Sequence, residues 1–406
     1  MTASSVRPDE ASDANRGIAE SNLAVFFVGA GASAACGLPL MNEFQARARR
    51  NYFALKPDTE LRDRLKAKYE AYFEFHARCQ RTSWIFNRNW DNIEELYSQA
   101  DLERLLGGTP GDQTHSLCDA IAWVIWDTYK PRWRAGLPAY QPLAHAAFSA
   151  GFRPVFITTN YDANIELSLS SLNEFKVVHP DFVNPQGDEE CYKHQSGYPQ
   201  YLTPKSVQVI KLHGSVSWFR VGGESPAVAA TRILMASSQN DDQQNRAPIG
   251  APNLSFEHLE LKLRQASGAT GTIAPAIIPP VLGKALGIPA ITDQWRAAVH
   301  ALSKARQVWF IGYSFPQTDA SIIRLLIDGL SRNTDLDVFG ILDLQNREQW
   351  ADRIDSLLAM HFRRRFVFES TNAEMALSVL PRVIKTPARC AAMFERARAG
   401  TPSLLL

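Results

Sequence analysis

The feature that most constrains this chain is a short apolar run that ends in two glycines. Residues Leu23 to Val28 read Leu-Ala-Val-Phe-Phe-Val, and Gly29-Ala30-Gly31-Ala32-Ser33 follow directly. A continuous apolar run of this length predicts a strand buried on both faces, as in a parallel sheet between layers of helices. The glycines permit close approach to a diphosphate, and the helix behind them would direct amide groups at it. The run predicts a nucleotide site or, alternatively, a tight strand-to-helix turn without a ligand.

The spacing of the glycines alone does not define the ligand. Gly29, Gly31 and Ala34 satisfy the pattern Gly-x-Gly-x-x-(Gly or Ala), which also occurs often by chance. A dehydrogenase with this pattern carries a ribose-binding carboxylate about 20 residues further along the chain. Arg49 and Arg50 occupy that stretch here. The chain therefore lacks the usual signature of a hydride-transfer enzyme.

Composition and charge restrict the class of protein. The chain has 406 residues, of which 45% are hydrophobic and 21% charged, as in globular proteins with a substantial core. Its formal net charge of +1 gives no sign of general nucleic-acid binding, and the basic run Arg363-Arg364-Arg365 suits a solvated strand entrance. No apolar run approaches the roughly 18 residues that a membrane helix needs, so no membrane association is predicted.

The compartment and the metal content are predicted from the start of the chain and from its cysteines. Residues 1–20 are polar and predict a disordered tail, not a signal peptide. Five cysteines without a Cys-x-x-Cys pair fit a reducing cytoplasm, which is the expected location. His115 with Cys118 and Cys191 with His194 have helical spacing, but chance explains both pairs better, so neither zinc nor another metal is predicted.

A block of helices follows the glycine turn. Apolar residues recur there at spacings of three and four residues, interrupted by Gly107-Gly108-Thr109-Pro110-Gly111. The helical segments are Met41–Tyr52, Thr59–Gln80, Trp90–Leu106 and His115–Tyr129. They predict a helical insertion over about residues 50–140, between the first strand and the second.

Strands return after the helical block, and they end in small, polar or titratable residues. The ends are Thr159-Asn160-Tyr161-Asp162 after Pro154–Thr158, His213-Gly214-Ser215 after Val207–Leu212, Gly312-Tyr313-Ser314 after Val308–Ile311, and Asp343 after Val338–Leu342. Ligands of doubly wound sheets bind beyond the carboxyl ends of parallel strands. These ends, together with Gly29–Ser33, are therefore predicted to meet at one edge of one sheet.

Several of these residues also suit ordinary structural roles. Asp162 suits the cap of the helix that follows it, and Asp343 suits either a helix cap near Asn346 or an acceptor for adenosine hydroxyls. His213 could be a satisfied structural residue. Asn160 is harder to explain in this way, because a side-chain amide at a strand end needs several hydrogen-bond partners.

The predicted fold is α/β, a Rossmann-like doubly wound parallel sheet with a large helical insertion. It spans residues 21–345, with loop-rich insertions at about 175–205 and 221–275 and a mostly helical C-terminal extension over 346–406. The polar segment 237–245 is either a lid over the site or a plain surface loop.

In the order and content of these motifs, the chain resembles the sirtuin family. The matching pieces lie between residues 22 and 345 and are Gly29-Ala30-Gly31-Ala32-Ser33 with Gly37-Leu38-Pro39, Thr159-Asn160-Tyr161-Asp162, His213-Gly214 and Gly312-Tyr313-Ser314. The chain is more narrowly similar to the sirtuin-like proteins of prokaryotic antiviral defence. That similarity lies in Lys211–Ser215 with Trp218, Ile278-Pro279-Pro280 with Lys284, Ile311–Pro316 with Asp319, and Asn92–Leu96.

Two departures from the family pattern refine what the resemblance implies. Protein-deacylating sirtuins carry a zinc module on four cysteines, and this chain has no cysteine pairs to build one. They also follow the first glycine loop with Asp-Phe-Arg, where this chain has Leu40-Met41-Asn42. The resemblance therefore implies NAD as a substrate to be hydrolysed, with depletion of cellular NAD as an antiviral, abortive-infection effect.

The resemblance and the chemistry of the bond assign roles to the strand-end residues. Asn160 would orient water or the nicotinamide ribose, and His213, with a pKa near the working pH, would accept a proton. Asp162 would add negative charge near the cationic ribose. The residues expected to hold the diphosphate and the adjacent ribose are Gly29, Ala30, Gly31, Ser33, Thr159, Gly312 and Ser314, with Asp343 at the adenosine.

Two other functions and a set of partners remain open from the sequence. The alternatives are an NAD-dependent protein deacylase and a non-catalytic assembly subunit that senses NAD or ADP-ribose. The resemblance suggests a homo-oligomer and, in some systems, a HerA-type DNA-translocating ATPase. The chain has no Gly-x-x-x-x-Gly-Lys-(Ser or Thr) loop, so such an ATPase would be a separate protein.

Overall fold

Seven parallel strands form the central sheet of the protein in this computed structural model. The structure describes residues 22–34, 37–55, 60–82, 90–105, 113–129, 140–170, 175–180, 206–222, 233–235, 272–278, 289–315, 320–343, 366–370 and 373–384. In sheet order the strands are β10 (Phe366–Ser370), β9 (Val338–Asp343), β8 (Ala305–Ile311), β1 (Leu23–Val28), β2 (Arg153–Thr158), β4 (Ser206–Lys211) and β3 (Lys176–Val178).

The order of the strands reverses at β1, which confirms the predicted doubly wound α/β fold. The chain leaves β1 toward β2 on one side and later returns to β8 on the other side. The crevice between the carboxyl ends of β1 and β8 is therefore the switch point, where open parallel sheets bind ligands.

The helices include those predicted from periodicity and one that the pattern did not predict. Their bounds are α1 (Ala30–Ala34), a 3₁₀ turn (Met41–Glu43), α2 (Phe44–Phe53), α3 (Glu60–Gln80), α4 (Ile93–Leu105), α5 (Gln113–Tyr129), α6 (Tyr140–Ser149), α7 (Asn164–Ser170), α8 (Pro289–Lys304), α9 (Ala320–Leu330) and α10 (Ala373–Ile384). The unpredicted helix is α6, whose Pro142 lies in its first turn, where proline is compatible with a helix.

The side chains of β1 show how the sheet is covered. Leu23, Val25 and Phe27 point into a cluster with α8 and α9, and the alternate residues of the strand point into a second cluster with α6, α7 and α10. All six residues of β1 are fully buried. An apolar run without polar interruptions is what a strand between two helical layers requires.

The helical insertion has a core of its own that also reaches the candidate site. Helices α2, α3, α4 and α5 pack together around aromatic residues such as Tyr69, Tyr72 and Trp123. The same cluster includes Tyr161, which lies just beyond β2, and Val216. The insertion thus packs directly against the segment that carries Asn160 and Asp162.

A second, three-stranded antiparallel sheet was not predicted from the sequence. It consists of β5 (Gly214–Gly222) between β6 (Ile233–Met235) and β7 (Thr272–Ile277). Its strands are far apart in the chain, so only the folded backbone reveals their pairing. Because β5 begins at Gly214, His213 lies in the turn that joins the two sheets.

The C-terminal segment contributes to the central sheet. The sequence pattern predicts a strand at Arg365–Phe368 within a mostly helical C-terminal extension, and the structure places β10 beside β9 in parallel register. Helix α10 buries Leu377 and Leu380 in the core cluster shared with β1 and α6. The described part of residues 346–406 thus adds a strand to the central sheet and a helix to its core.

Some predicted features lie outside the described residues. They are the tail 1–20, the polar segment 237–245, most of the insertions 175–205 and 221–275, and the helix expected near Asn346. Within the part of the chain that the structure describes, no helix is long and apolar enough to cross a membrane.

Candidate functional site

The two glycine turns meet at the switch point of the sheet. The amide of Gly29 donates to the carbonyl of Ile311 at 2.9 Å, and the amide of Gly31 donates to the carbonyl of Gly312, also at 2.9 Å. The turn after β1 is therefore bonded to the turn after β8. This contact brings Gly29–Ser33 and Gly312–Ser314 together, as predicted from the strand ends.

Glycine is required in this turn because the two backbones lie too close together to leave room for a side chain. Gly312 has a φ of +60°, and a Cβ on Gly29 would lie 2.5 Å from the carbonyl oxygen of Gly312. The amides of Gly29, Gly31 and Ala32 already donate to backbone carbonyls. The amides of Gly29 and Gly31 are therefore satisfied within the fold, and the predicted close approach of a diphosphate to these glycines remains a prediction.

Asn160 is held by its side-chain amide nitrogen. Nδ2 donates to the carbonyl of Gly29 at 2.9 Å and to Ser33 Oγ at 2.9 Å, and the backbone amide of Asn160 donates to Thr158 Oγ1 at 3.0 Å. The carbonyl of Gly29 can only accept, so the amide nitrogen must face it and the orientation of the side chain is determined. Among the described residues, Asn160 Oδ1 has no donor, so the half-buried side chain has a spare acceptor.

Asp162 ends the same chain of hydrogen bonds. Ser33 Oγ donates to Asp162 Oδ2 at 2.7 Å, and the amide of Asn164 donates to Asp162 Oδ1 at 3.0 Å. In this arrangement both carboxylate oxygens of Asp162 accept a hydrogen bond, which is the pattern of an ionised carboxylate. Burial raises the pKa of Asp162, and the positive charge of Lys211 together with the two hydrogen bonds opposes that increase.

These contacts change the roles expected for Asp162 and Ser33. Asp162 is only 5% exposed and caps α7, so the structural role that its position suggested is confirmed and its carboxylate is engaged inside the protein. The Ser33 hydroxyl is buried between Asn160 and Asp162, so it orients the Asn160 side chain and is not free to bind a phosphate.

His213 is buried without a hydrogen-bond partner among the described residues. The side chain is 3% exposed, and its Nε2 atom is enclosed. Burial lowers the pKa of His213 to about 3, which contradicts the expected pKa near the working pH. The imidazole is therefore neutral at pH 7, and its unprotonated nitrogen is an acceptor.

Backbone pairing brings His213 beside the Asn160 segment. The amide of Leu212 donates to the carbonyl of Thr158 at 3.0 Å, and the amide of Val216 donates to the carbonyl of Tyr161 at 2.8 Å. Residues 212–216 therefore run alongside residues 158–161. The ends of β2 and β4 place Asn160 and His213 on neighbouring segments, as the sequence predicts for a parallel sheet.

The remaining predicted residues lie around the same edge. Ala30 is exposed at the start of α1, Thr159 is half-buried after β2, and Ser314 is exposed after β8. Asp343 is the last residue of β9, and its side chain lies outside the described residues. The adenosine contact predicted for Asp343 remains a prediction.

Two residues of the candidate site were not predicted as site residues from the sequence. Trp295, on α8, donates from Nε1 to the carbonyl of Leu212 at 2.8 Å and packs its ring edge-on against His213, with the ring centres 5.8 Å apart. Lys211, the last residue of β4, is fully buried behind Asp162. A lysine at the end of a buried strand, next to the apolar residues Val209 and Ile210, was the available signal for Lys211. Nothing in the sequence links Trp295 to β4.

Within the described part of the chain, no group of three His, Cys, Asp or Glu side chains could hold a metal ion. Cys118 is buried in α5 as a free thiol, while Cys191, His194 and the side chain of His115 lie outside the described residues.

Comparisons with known proteins give fold-level likenesses at low identity. No family model matches the chain, and a search of curated proteins finds no match. A mutant Sir2 homologue in complex with ADP-ribose is similar over 92% of this chain and 96% of that chain, with 14% identity and a TM-score of 0.37. A Sir2 homologue in complex with NAD is similar over 92% of this chain and 93% of that chain, with 13% identity and a TM-score of 0.36.

A third similar structure is Sir2Tm bound to a propionylated peptide. The similarity extends over 93% of this chain and 98% of that chain, with 14% identity and a TM-score of 0.36. Likenesses at this level assign neither a family nor an activity. The proposed function therefore rests on the geometry of the site and on the sequence motifs.

Proposed function

We propose that the chain hydrolyses NAD at the bond between nicotinamide and ribose. The observation that carries this proposal is a pair of polar atoms without a hydrogen-bond partner among the described residues, Asn160 Oδ1 and His213 Nε2. They lie on neighbouring segments at the carboxyl edge of a doubly wound sheet, where sheets of this kind bind ligands. The order of the sequence motifs, which resembles that of sirtuin-like proteins, supports NAD as the substrate.

Hydrolysis of this bond requires groups that accept a hydrogen bond or a proton. The electron pair of the C–N bond leaves with nicotinamide, and the ribose passes through an oxocarbenium-like state that carries positive charge. Asn160 Oδ1 is the negative end of a fixed amide dipole, and it would stabilise that charge or hold the attacking water by accepting one of its hydrogens.

His213 is the proton acceptor in this scheme. A pKa of about 3 makes the imidazole a weak base, and it also keeps the ring unprotonated at neutral pH. A weak base is sufficient here, because water that adds to an oxocarbenium ion becomes strongly acidic as the new C–O bond forms. Loss of that proton to His213 Nε2 completes the conversion of NAD and water to ADP-ribose and nicotinamide.

We further propose that the reaction serves antiviral defence by depleting NAD. The narrower resemblance of Lys211–Ser215 with Trp218 and of Asn92–Leu96 to prokaryotic defence proteins supports this role. An enzyme that destroys NAD would harm its own cell if it were always active, so activity would be gated by homo-oligomer formation or by a partner such as a separate HerA-type ATPase.

The test is an NAD cleavage assay with the full chain. Nicotinamide and ADP-ribose are quantified by chromatography over a range of protein concentrations, so that assembly can occur. We expect the wild type to release both products and the His213→Ala and Asn160→Ala variants to lose at least about 100-fold in rate. His145→Ala, at an exposed histidine of α6, is the matched control and should keep the wild-type rate.

The assay also separates the alternative functions. Turnover that requires an acyl-lysine peptide would indicate a deacylase, and tight NAD or ADP-ribose binding without product would indicate a sensing subunit. Absence of turnover at every protein concentration, and with a co-encoded ATPase present, would reject the hydrolase.

A further inference from the structure

Lys211 is a fully buried cation directly behind the proposed site. It ends β4, and its exposed fraction is 0%. A buried ammonium is unfavourable unless it is paired and hydrogen-bonded. Lys211 Nζ donates to the backbone carbonyl of Asp162 and lies 3.2 Å from Glu166 Oε1. Both partners belong to the segment that carries Asp162 into α7.

We propose that Lys211 is a positioning residue that keeps Asp162 ionised. The ionised carboxylate in turn determines which group donates and which accepts in the series of hydrogen bonds from Asp162 through Ser33 to Asn160. Lys211 Nζ is engaged by the Asp162 carbonyl and by Glu166, so we assign it no contact with a substrate. Its effect on catalysis rests on the proposed hydrolase function, whereas the direction of the hydrogen bonds does not.

The hydrogen bonds allow one fully satisfied arrangement. Asn160 Nδ2 uses one hydrogen for the carbonyl of Gly29 and the other for Ser33 Oγ. The single Ser33 hydrogen is then available for Asp162 Oδ2, which must accept it. The other oxygen, Oδ1, accepts from Asn164. Every donor in this arrangement has an acceptor only while Asp162 is ionised.

Protonation of Asp162 would break this arrangement at Asn160. The proton would lie on Oδ2, because Oδ1 faces the amide of Asn164, and Asp162 would then donate to Ser33. The Ser33 hydrogen would lose its acceptor or turn toward Asn160 Nδ2, which is itself a donor. A flipped Asn160 would set Oδ1 against the carbonyl oxygen of Gly29. In each case Asn160 loses the position that presents Oδ1 to the ligand.

The charged and titratable groups around Asp162 show why Lys211 is decisive. Burial favours the neutral acid, and the negative charge of Glu166 does the same. Tyr129 faces Asp162 from the helical insertion as a neutral phenol, because burial raises its pKa. His179 lies 4.0 Å from Glu166 Oε1, and burial lowers its pKa, so it is neutral at pH 7. Among these groups, Lys211 supplies the positive charge.

The experiment removes the charge of Lys211 without leaving Glu166 unpaired. Lys211→Met alone leaves a buried carboxylate without its partner and could unfold the protein, so the test variant is Lys211→Met with Glu166→Gln. The Glu166 charge acts on the pKa of Asp162 less than the Lys211 charge does, so removal of both still favours the neutral acid. Lys304→Met, at an exposed lysine of α8, is the matched control. Circular dichroism and thermal unfolding verify that each variant is folded.

The first measurement is the infrared spectrum of the unliganded protein at pH 7. We expect the double variant to show a protonated carboxylic acid band that the wild type and Lys304→Met lack. Adding Asp162→Asn to the double variant should remove the band, which assigns it to Asp162. A folded double variant without this band would overturn the proposal, whether or not the protein cleaves NAD.

The second measurement is the pH profile of NAD cleavage. At pH 7 we expect the double variant to lose about 100-fold in kcat, as for a misplaced reacting group, with little change in KM. The loss should shrink as the pH rises, because Asp162 then ionises without Lys211. A loss of equal size at every pH would indicate general distortion and would also overturn the proposal. If the wild type has no NAD turnover, the hydrolase function fails, and the infrared result still decides the role of Lys211.

Discussion

At the scale of single residues, the site contains groups that the protein buries at a cost. His213 is enclosed without a hydrogen-bond partner among the described residues, and Asn160 keeps a spare carbonyl oxygen. A buried polar atom without a partner costs about 1–3 kcal/mol of stability. Such atoms are uncommon in native structures, and a bound ligand, ion or water that completes their hydrogen bonding is one explanation for them. We propose that a bound ligand completes the hydrogen bonding of both acceptors.

The buried imidazole predicts a specific pH dependence of stability. The pKa of His213 is about 3 in the folded protein and about 6.5 in the unfolded chain. Between these values the unfolded chain binds more protons, so the free energy of unfolding falls as the pH is lowered through this window. Between pH 7 and pH 5, we expect the titration of His213 to lower the free energy of unfolding by about 2 kcal/mol.

The measurement is urea unfolding at pH 7 and pH 5 for the wild type and His213→Leu. The other titrating groups are common to both proteins, so the difference between them isolates His213. The wild type should lose about 2 kcal/mol more than the variant between the two pH values. Equal losses in both proteins would show that His213 is not buried as a neutral group.

At the scale of elements, the turns after β1 and β8 form one joined structure. The contact depends on a backbone approach that a side chain would block: a Cβ on Gly312 would lie 2.6 Å from the amide nitrogen of Ala32. The turn after β1, which was predicted to bind a ligand, is thus also the joint between the ends of β1 and β8. Because Asn160 bonds to the carbonyl of Gly29, the position of Asn160 depends on this joint.

Gly312→Ala tests the importance of the joint. We expect a loss of stability well above the roughly 1–2 kcal/mol of left-handed strain, because the new Cβ overlaps the backbone near Ala32. Gly151→Ala is the matched control: Gly151 has a φ of +78° and no atom within 4 Å of an added Cβ, so it reports the strain alone. Denaturant unfolding of both variants gives the comparison, and equal losses would argue against the tight contact.

At the scale of the whole molecule, the helical insertion and the C-terminal segment both pack into the fold that carries the candidate site. The helical insertion reaches the site through Trp126, whose Nε1 donates to the carbonyl of Val216 at 3.1 Å, and through Tyr129, whose ring packs on Tyr161 with centres 5.7 Å apart. At the other edge of the sheet, β10 and α10 extend the fold beyond residue 345. A change in either part can therefore affect the stability of the sheet as a whole.

A pair of substitutions in α10 tests whether the C-terminal segment belongs to the domain. Leu380 is 2% exposed in the core shared with β1, so Leu380→Ala should cost about 2–5 kcal/mol and lower the melting temperature of the whole domain. Met375 on the same helix is 53% exposed, and Met375→Ala should change stability by less than about 0.5 kcal/mol. Unchanged melting of Leu380→Ala would instead support a separate extension.

The central strands, most helices and the location of the site could be predicted from the sequence. Apolar runs such as Leu23–Val28 are long and uninterrupted, and burial of a continuous apolar run leaves few alternatives to a central parallel strand. The residues that follow the strands then meet at one edge because all seven strands are parallel. The antiparallel sheet of β5, β6 and β7 was missed because its pairing joins segments far apart in the chain.

The amino-acid sequence by itself determined which residues lie at the carboxyl edge of the sheet, since strand ends follow from local patterns of apolar and polar residues. Only the tertiary structure decided what each residue does there. Asn160 and Gly29 are 131 positions apart, and their contact determines which atom of the Asn160 amide is spare. Burial from all sides determines the neutral state of His213, and the same enclosure makes Lys211 a partner of Asp162. Hydrogen-bond direction and protonation depend on the atoms that surround a group in space, which no local pattern specifies.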